Sequence, residues 1–421
     1  IFTRAYCNVP VCGASRASVF SGLYPDYGRY VNYDAKIDND TPSVLTLPKY
    51  LKQNGYYTVS IGKNMHFPGD AADSWSEQPW RPDYPFANKP DVQVYWRDYQ
   101  HPDNIWTKNE NYPAGAAGPA WESVNVNDTV YQDGKIALKA METLERLASK
   151  NQPFFMGLGF IKPHLPFCAP QKYWDLYSEK DIKLADNPFM PEGAPGRAWI
   201  DSPELRAYAN IPESGVDITD EQAIKLRHGY YACVSYIDAL IGQVVAKLEK
   251  LEIADNTVIM LWGDHGYTLG EHKMWGKIQN FDKAMRATLY VKSPDVKKGE
   301  ASSSLVNFVD MYPTICELLG LDLPQHLDGK SFLKVLKNPY EKVNDHVFCK
   351  WISGESIIGE NLIYTRYYNR KTNDFDTHML YDHRIDPDEN RNVVDEPQYE
   401  KNVKKMIRIL EKHRVDRKSI K

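Results

Sequence analysis

The sequence predicts an α/β fold in which a large, mostly parallel sheet is sandwiched by helices and followed by a smaller C-terminal α+β subdomain. Short runs of β-branched and aromatic residues alternate with segments of helical period, as in a parallel sheet that is covered on both faces. From about residue 340 this alternation gives way to short strand-like runs separated by polar turns. We therefore predict a main domain over residues 1–339 and a C-terminal subdomain of antiparallel strands plus a helix over residues 340–421.

Four strands of the main domain are predicted from short apolar runs, at residues 56–61, 154–160, 257–262 and 288–292. Between them, apolar residues at three- and four-residue spacing predict two amphipathic helices. The first series is Ile136, Ala140, Met141, Leu144, Leu147 and Ala148, and the second is Val234, Ile237, Leu240, Ile241, Val244, Leu248 and Leu251. A third helix is predicted over residues 305–319, because Gly320 is a common helix stop.

The C-terminal subdomain is predicted to contain strands at residues 347–352, 361–368 and 378–382, and a last helix over residues 399–413. Residues 75–121 are rich in Pro, Trp, Tyr and Asn and have no period, which is typical of a long surface loop. The aromatic residues of this loop could stack on sugar rings or attach the loop to the core, and both interpretations stay open.

The charge balance excludes two classes of protein. The 421 residues include 51 basic and 56 acidic ones, for a formal charge of −5, which fits neither a nucleic-acid-binding protein nor an acidic disordered chain. We therefore expect no nucleic-acid partner. No apolar run approaches the roughly 18 residues that a membrane span requires, so we also expect no membrane span.

The six cysteines form no CxxC pair, which indicates neither a disulfide scaffold nor a zinc ribbon and leaves the redox compartment open.

The most informative segment is CGASRASVFSGLYP, residues 12–25. It predicts a short helix that begins at Cys12, carries Arg16 one turn later on the same face, and ends at Gly22 and Pro25. A helix N-terminus next to a guanidinium favours an anion near residue 12. The CxxxR pattern taken alone favours a buried structural cysteine over a functional one.

A second segment, Asp264-His265-Gly266 with Gly270-Glu271-His272, directly follows a predicted strand. Ligands bind at the carboxyl ends of strands in open α/β sheets, and adjacent Asp and His side chains can offer an oxygen and a nitrogen to one cation. Taken alone, the motif is more often a turn with a solvated Asp.

Basic residues also follow predicted strands. Lys63 and His66 come after the first strand, the Lys-Pro-His motif that ends at His164 comes after the second, and Lys277 lies shortly beyond the Asp-His turn. A single Lys or His in a loop is usually solvated, but several of them at the carboxyl ends of strands favour an anion site.

The segment 12–25 as a whole resembles the sulfatase signature, Cys-x-Pro/Ala-Ser-Arg followed by a small residue and Gly, and the Asp-His turn resembles the metal segment of the same family. The resemblance implies an alkaline phosphatase-like fold whose residues 1–339 form the catalytic domain. It implies that a maturation enzyme oxidises Cys12 to formylglycine, whose hydrate both attacks sulfur and later expels sulfate. It further implies that Cys12, Asp264 and His265 hold one divalent cation, calcium by similarity, while His272 orients the loop.

The residue types and spacing of the basic motifs resemble most the iduronate-2-sulfatase branch of the family. By that resemblance Arg16 and Lys63 offset charge on the transferring group, His164 and Lys277 bind sulfate oxygens, and His66 assists the leaving group. The implied activity is hydrolysis of the 2-O-sulfate of a hexuronic residue in a sulfated oligosaccharide or polysaccharide. Two further hypotheses stay open, a phosphoester hydrolase of the same superfamily and a non-catalytic carbohydrate-binding relative.

Two departures from the family pattern lead to further expectations. Ala14 stands where Pro is commoner, a variant associated with oxygen-independent maturation. No Asp precedes Asp26, although the family's first strand ends in two aspartates that complete the metal site. We therefore expect the native polypeptide to extend upstream with that strand and an export signal, as in a periplasmic, secreted or lysosome-like protein.

Overall fold

The computed structural model describes residues 1–82, 97–105, 118–294, 296 and 299–418. The strands in this part of the chain are β1 (Ala5–Tyr6), β2 (Tyr57–Gly62), β3 (Trp121–Val124), β4 (Phe154–Gly159), β5 (Phe167–Pro170), β6 (Ile259–Trp262), β7 (Thr268–Leu269), β8 (Trp275–Gly276), β9 (Leu289–Lys292), β10 (Val306–Asn307), β11 (Val347–Trp351), β12 (Gly354–Ile358), β13 (Leu362–Tyr368) and β14 (Phe375–Asp382).

The helices alternate with these strands along most of the chain. They are α1 (Cys12–Ser21), α2 (Ile37–Asp40), α3 (Leu47–Gln53), α4 (Pro102–Ile105), α5 (Gln132–Ala148), α6 (Gln171–Trp174), α7 (Pro203–Arg206), α8 (Asp220–Lys250), α9 (Asp282–Met285), α10 (Met311–Leu318), α11 (Leu333–Lys337) and α12 (Glu400–Lys418).

The chain divides into two compact units. The first unit contains residues 1–47, 187–200 and 258–421, and the second contains residues 48–186 and 201–257. Residues 340–421 therefore belong to the same compact unit as the N-terminal helix α1. The predicted domain boundary near residue 340 stays a prediction, and the two compact units are divided at other positions.

The first unit contains a mixed sheet built on β1. This strand runs parallel to β10, and Phe2, just before it, pairs with Leu289 of β9. The strand predicted at residues 288–292 is confirmed, but β9 runs antiparallel to β6. A parallel pairing needs a long crossover connection, usually a helix, and the segment that returns from β6 to β9 has no α-helix longer than the four-residue α9.

The C-terminal part of the first unit contains the predicted antiparallel strands and the last helix. The sheet has the order β11-β12-β13-β14. Val403, Met406 and Leu410 of α12 belong to one apolar core with Ile357 of β12 and Tyr364 of β13. The sequence prediction missed β12, because two of its five residues are polar. Glu355 of this strand is buried, and its carboxylate accepts a hydrogen bond from Lys350 Nζ at 2.9 Å.

In the second unit, β2 runs parallel to β4 and β3 runs parallel to β5, as an α/β fold requires. The two amphipathic helices are confirmed as α5 and α8. Helix α8 begins fourteen residues before the predicted series, at a capping box in which Thr219 and Gln222 bond each other's backbone. Val234, which was assigned to its apolar face, is 44 % exposed. That face follows Leu226, Cys233, Leu240, Val244 and Leu248.

Helix α8 alone among the helices of the described residues has the length and the hydropathy to cross a membrane. Its buried residues recur at three- and four-residue intervals and its exposed ones include several charged side chains. A core helix with one packed face has the same pattern.

Two other predictions need correction. The helix predicted over residues 305–319 is shorter, because Leu305 and Val306 extend along neighbouring strands and α10 begins only at Met311. The Asp310 carboxylate accepts a hydrogen bond from the backbone N–H of Asn307, and this local bond favours a tight turn before the helix. Of the predicted loop over residues 75–121, residues 83–96 and 106–117 lie outside the described part of the chain. The remainder contains α4 and the beginning of β3.

Candidate active site

The short helix α1 places Cys12 at its first helical position, as predicted. The helix ends at Gly22, which adopts the left-handed conformation with a φ of 71°. The second helical position requires a glycine, because a Cβ atom at Gly13 would lie only 2.0 Å from the carbonyl oxygen of Tyr33. Cys12 itself is 3 % exposed and lies next to the N–H groups of the first turn, whose dipoles favour a negative charge.

The turn after β6 brings Asp264 and His265 to Cys12. Backbone bonds from Gly263 to Thr288 and from Gly266 to Ala284 hold the turn at both ends. A side chain at Gly266 would lie 2.0 Å from the carbonyl oxygen of Lys283, so the Gly of the Asp-His-Gly motif permits this close approach.

The three predicted metal ligands form one cluster. A sulfur, a carboxylate oxygen and an imidazole nitrogen from Cys12, Asp264 and His265 all lie within 4.8 Å of one another. Cys12 Sγ is 3.3 Å from His265 Nε2, and Asp264 Oδ1 is 3.5 Å from the same nitrogen. The residues described here contain no other cluster of three such donors.

Neighbouring groups fix the direction in which each donor points. Arg16 Nε donates a hydrogen bond of 2.7 Å to Asp264 Oδ2, which leaves Oδ1 on the side of His265. His265 Nδ1 lies 2.8 Å from the carbonyl oxygen of Gly266. A carbonyl oxygen can only accept, so Nδ1 carries the proton and Nε2 of the neutral ring offers its lone pair to the cluster. Ser15 Oγ also donates to the carbonyl oxygen of Asp264.

The electrostatics of the cluster favour a positive charge. Burial by itself lowers the pKa of His265, but the Asp264 carboxylate and the Cys12 sulfur outweigh burial, and the pKa of His265 is raised above its ordinary value. A bound divalent cation would satisfy the same negative groups. An oxygen and a nitrogen donor suit such a cation, and the oxygens of an aldehyde hydrate at residue 12 would take the place of the thiol sulfur.

Lys277 reaches the same region through a small hairpin. Strands β7 and β8 pair antiparallel, with Thr268 opposite Gly276, and this pairing returns the chain toward the Asp-His turn. Lys277 follows β8 directly, is half-buried, and is close enough to His265 for its charge to oppose protonation of the ring. His272 is buried against the ring of Phe281 and its backbone N–H bonds Asn187, as a residue that holds the loop.

The other predicted basic residues lie in the second unit. Lys63 directly follows β2, is 4 % exposed, and its backbone N–H donates to the carbonyl oxygen of Gly159 at the end of β4. His66 follows three residues later, with its ring against Phe67. His164 lies beyond the end of β4, and its Nε2 is 3.0 Å from a carboxylate oxygen of Glu204 on α7.

Two further residues of the second unit, Asp133 and Lys162, are not among the site residues that the sequence predicts. The Asp133 carboxylate, at the start of α5, accepts hydrogen bonds from the backbone N–H groups of Ile161 and Lys162 at 2.7 and 3.0 Å. Its burial raises its pKa, while those bonds and the charges of Lys162 and Lys63 act in the opposite direction. Lys162 is also buried, and its Nζ donates to the carbonyl oxygens of His164 and Pro166. A single Asp in the first turn of an amphipathic helix has no sequence signal that would reveal this role.

Comparison with known proteins agrees with the motifs. The sulfatase family profile matches residues 1–321, and a profile for the C-terminal part of N-sulphoglucosamine sulphohydrolase matches residues 270–416. The chain is 28 % identical to the iduronate 2-sulfatase of Homo sapiens over 365 residues, which cover 79 % of this chain and 64 % of that protein. It is 29 % identical to a sulfatase of Formosa agariphila, over 92 % of this chain and 74 % of the relative. Choline-sulfatase of Rhizobium meliloti is 26 % identical over 94 % of the chain.

Solved structures share the fold. The structure of BT4656 in complex with its substrate D-glucosamine-2-N,6-O-disulfate has a TM-score of 0.74, with coverage of 100 % of this chain and 91 % of that one at 20 % identity. The phosphonate monoester hydrolase of Silicibacter pomeroyi has a TM-score of 0.76, with 99 % and 88 % coverage at 20 % identity. The alkaline phosphatase-like architecture with a C-terminal subdomain is thereby confirmed.

Proposed function

Because this chain belongs to the sulfatase family, we propose that it hydrolyses sulfate esters, and specifically the 2-O-sulfate of an iduronic-type hexuronic residue in a sulfated glycan. The single observation that carries the proposal is the cluster of Cys12, Asp264 and His265 donor atoms within 4.8 Å at the start of α1. The similarity to iduronate 2-sulfatases at 28 % identity supports the choice of sulfate position. The chain spans 64 % of the human relative, so the activity of the whole protein is part of the proposal.

Residue 12 has the surroundings that a covalent catalyst needs. We propose that a maturation enzyme converts Cys12 to formylglycine, whose hydrate supplies one hydroxyl for attack on sulfur and a second for release of sulfate. The position of Cys12 Sγ, 3.3 Å from His265 Nε2, is where one of these hydroxyls would lie. The N–H groups of the first turn of α1 then face the charge that develops on the transferring group.

Asp264 and His265, together with residue 12, would hold a divalent cation, which we propose to be Ca²⁺. When bound, the cation would polarise the reacting oxygens and offset negative charge. Ca²⁺ takes about six to eight oxygen ligands, so these three residues would supply only part of its coordination. Arg16 keeps the Asp264 carboxylate in position through its 2.7 Å hydrogen bond, and thereby serves the cation site as well as the anion.

The remaining basic residues are assigned to the sulfate group. Lys277 is half-buried near His265, and we propose that it binds a sulfate oxygen. Lys63 and His164 are proposed to offset or bind negative charge of the substrate, and His66 to protonate the leaving group. In the structure His164 Nε2 is close to Glu204, so sulfate would compete with this carboxylate for the imidazole.

Desulfation of a panel of defined saccharides tests the proposed function. The protein is expressed together with a formylglycine-generating enzyme and assayed on 2-O-, 4-O- and 6-O-sulfated disaccharides, on an aryl sulfate, and on an aryl phosphate. We expect sulfate release from the 2-O-sulfated uronate to be the fastest reaction. Fast cleavage of 6-O-sulfated glucosamine without cleavage of the uronate would overturn the specificity, and a preference for aryl phosphate would replace the sulfatase activity by phosphoester hydrolysis.

The proposed location is outside the cytoplasm, as expected for an enzyme that meets extracellular or lysosomal glycans. Fractionation of the native host, with detection of residue 12 as an aldehyde in the exported fraction, would test this assignment. A purely cytoplasmic protein would contradict it.

A further inference from the structure

Helix α12 presents two chemically opposite faces. Val403, Met406 and Leu410 are buried in the apolar core that α12 shares with the β11–β14 sheet. On the opposite side lies a row of five exposed cationic side chains, which we call the basic stripe. Its members are Lys401, Lys404, Lys405, Arg408 and Lys412.

The stripe follows directly from helical geometry. With 3.6 residues per turn, residues three, four, seven and eleven positions after Lys401 lie on one side of the helix. At about 1.5 Å per residue, the stripe from Lys401 to Lys412 is roughly 16 Å long. Four of the cations, with the half-buried Ile409, line an open concavity of about 410 Å³.

Few acidic groups compensate this charge. Lys404 bonds Glu400 of its own helix, and Glu411 is already engaged by Arg366 at 2.9 Å. Among the described residues, the other four cations of the stripe form no ion pair. The pKa of His346 is lowered by its burial and by the charge of Lys405, whose influence outweighs that of Asp345. The stripe is therefore a local cationic surface on a chain whose net charge is −5.

We propose that the basic stripe of α12 binds a sulfated polysaccharide chain, by residues that take no part in the candidate active site. The proposal rests on the proposed function for the class of polymer, since the substrate of a glycan sulfatase carries closely spaced sulfate and carboxylate groups. A row of cations that is about 16 Å long matches a linear polyanion better than it matches a single small anion. Binding there would hold a polymeric substrate on the enzyme between successive reactions.

The surroundings favour a polysaccharide over other polyanions. The apolar face of α12 is buried in the core, and among the described residues of the helix Val415 is the one strongly exposed apolar side chain, which is too little apolar surface to enter a lipid layer. The stripe contains no aromatic side chain on which the bases of a single-stranded nucleic acid could stack.

The proposal is tested by binding of a fluorescently end-labelled heparin fragment to the full chain, measured by anisotropy at several salt concentrations. The test variant is Lys401→Gln/Lys405→Gln/Arg408→Gln. The control variant, Lys334→Gln/Lys337→Gln/Lys371→Gln, removes the same three charges from exposed positions elsewhere in the first unit. Anionic phosphatidylserine vesicles and a single-stranded DNA are measured in parallel, and thermal unfolding is recorded for each variant.

We expect the test variant to bind heparin roughly tenfold to a hundredfold more weakly at physiological salt, with a salt dependence lower by about two to three in log–log slope. The control should bind like the unmodified protein. On an aryl sulfate, which has no polysaccharide chain for the stripe to bind, both variants should keep the unmodified turnover. On heparin, only the test variant should show a raised KM.

Unchanged heparin binding by the test variant, or an equal loss in the control, would overturn the proposal. Tighter binding of the vesicles or of the DNA than of heparin would also overturn it in favour of those partners. If the triple variant unfolds, the double variant Lys405→Gln/Arg408→Gln tests the same expected loss of heparin binding. Because binding needs no turnover, a protein that binds heparin through the stripe but cleaves no sulfate ester would refute the proposed function and leave the stripe proposal standing.

Discussion

Removal of the Arg16 guanidinium should destabilise the protein, and Ca²⁺ should reverse most of the loss. Arg16 Nε bonds Asp264 Oδ2 at 2.7 Å, and the two side chains are only 12 % and 16 % exposed. In Arg16→Ala the Asp264 carboxylate stays buried but loses the charge and the hydrogen bond of the guanidinium. A cation held by Asp264, His265 and residue 12 would supply the missing positive charge at the same carboxylate.

The size of the effect follows from the burial of the pair. Loss of one partner of a buried ion pair costs about 3–5 kcal/mol, and the small remaining exposure of both side chains places this pair near the lower end, at about 3 kcal/mol. With saturating Ca²⁺ the carboxylate is again compensated, and we expect a remaining loss of about 1 kcal/mol. Arg16→Lys keeps the charge without the guanidinium geometry, so its loss in chelator should lie between these values.

The assay is urea unfolding of each variant in EDTA and in excess CaCl₂. Arg206→Ala is a matched control, because Arg206 Nε bonds Asp201 Oδ1 at 2.8 Å and these side chains are 12 % and 13 % exposed. Its loss of stability should be of similar size but independent of Ca²⁺. An Arg16→Ala deficit that is the same in EDTA and in CaCl₂, or an Arg206→Ala deficit that Ca²⁺ also repairs, would refute the assignment of the cation site.

Three further outcomes are expected. Cys12→Ala should abolish aryl sulfate turnover with little change in the melting temperature. The peptide that contains residue 12 in active protein should have the mass of an aldehyde. Active protein with only unmodified cysteine at this position would contradict the mechanism. Lys277→Ala should lower kcat/KM by roughly tenfold to a thousandfold, whereas the exposed neighbour variant Lys273→Ala should not; loss of folding instead would mean that Lys277 is structural. Burial raises the pKa of Asp98 to about 7, so between about pH 4 and 7 the folded state holds a proton that the unfolded chain has released, and stability falls as pH rises. Asp98→Asn should flatten this slope in urea titrations, and an unchanged slope would show that other groups cause it.

Local sequence patterns were sufficient to predict the helices and strands that bury a regular apolar face. Helix α5 and strands β2, β4 and β6 were predicted near their observed positions, because each has a period that its own residues determine. The start of α8 was missed although Thr219 and Gln222 form a readable capping box. The short strand β12 was missed because its polar Glu355 is buried only through a partner, Lys350, on the adjacent strand.

The same distinction applies to the candidate site. Cys12, Arg16, Asp264 and His265 could be chosen from the sequence because two short motifs carry them, and the structure brings all four together. That Arg16 bonds the Asp264 carboxylate could not be predicted, because the two residues are 248 positions apart. The contact of Glu204 with His164 could not be predicted either, because tertiary packing and not a sequence motif brings these two residues together.

The sequence by itself therefore determined the α/β class, the family and the residues that are proposed to carry the chemistry, since these depend on periodicity and on spacing within short segments. The tertiary structure decided which groups orient those residues. It showed that the Gly266 carbonyl oxygen sets the protonated nitrogen of His265, and that the antiparallel pairing of β9 with β6 follows from a connection without a crossover helix. It also decided that five cations of α12 share one exposed face while Val403, Met406 and Leu410 are buried in the core. The physical reason is that hydrogen bonds, burial and charge compensation join residues that are distant in the chain, and their partners are defined only once the backbone has folded.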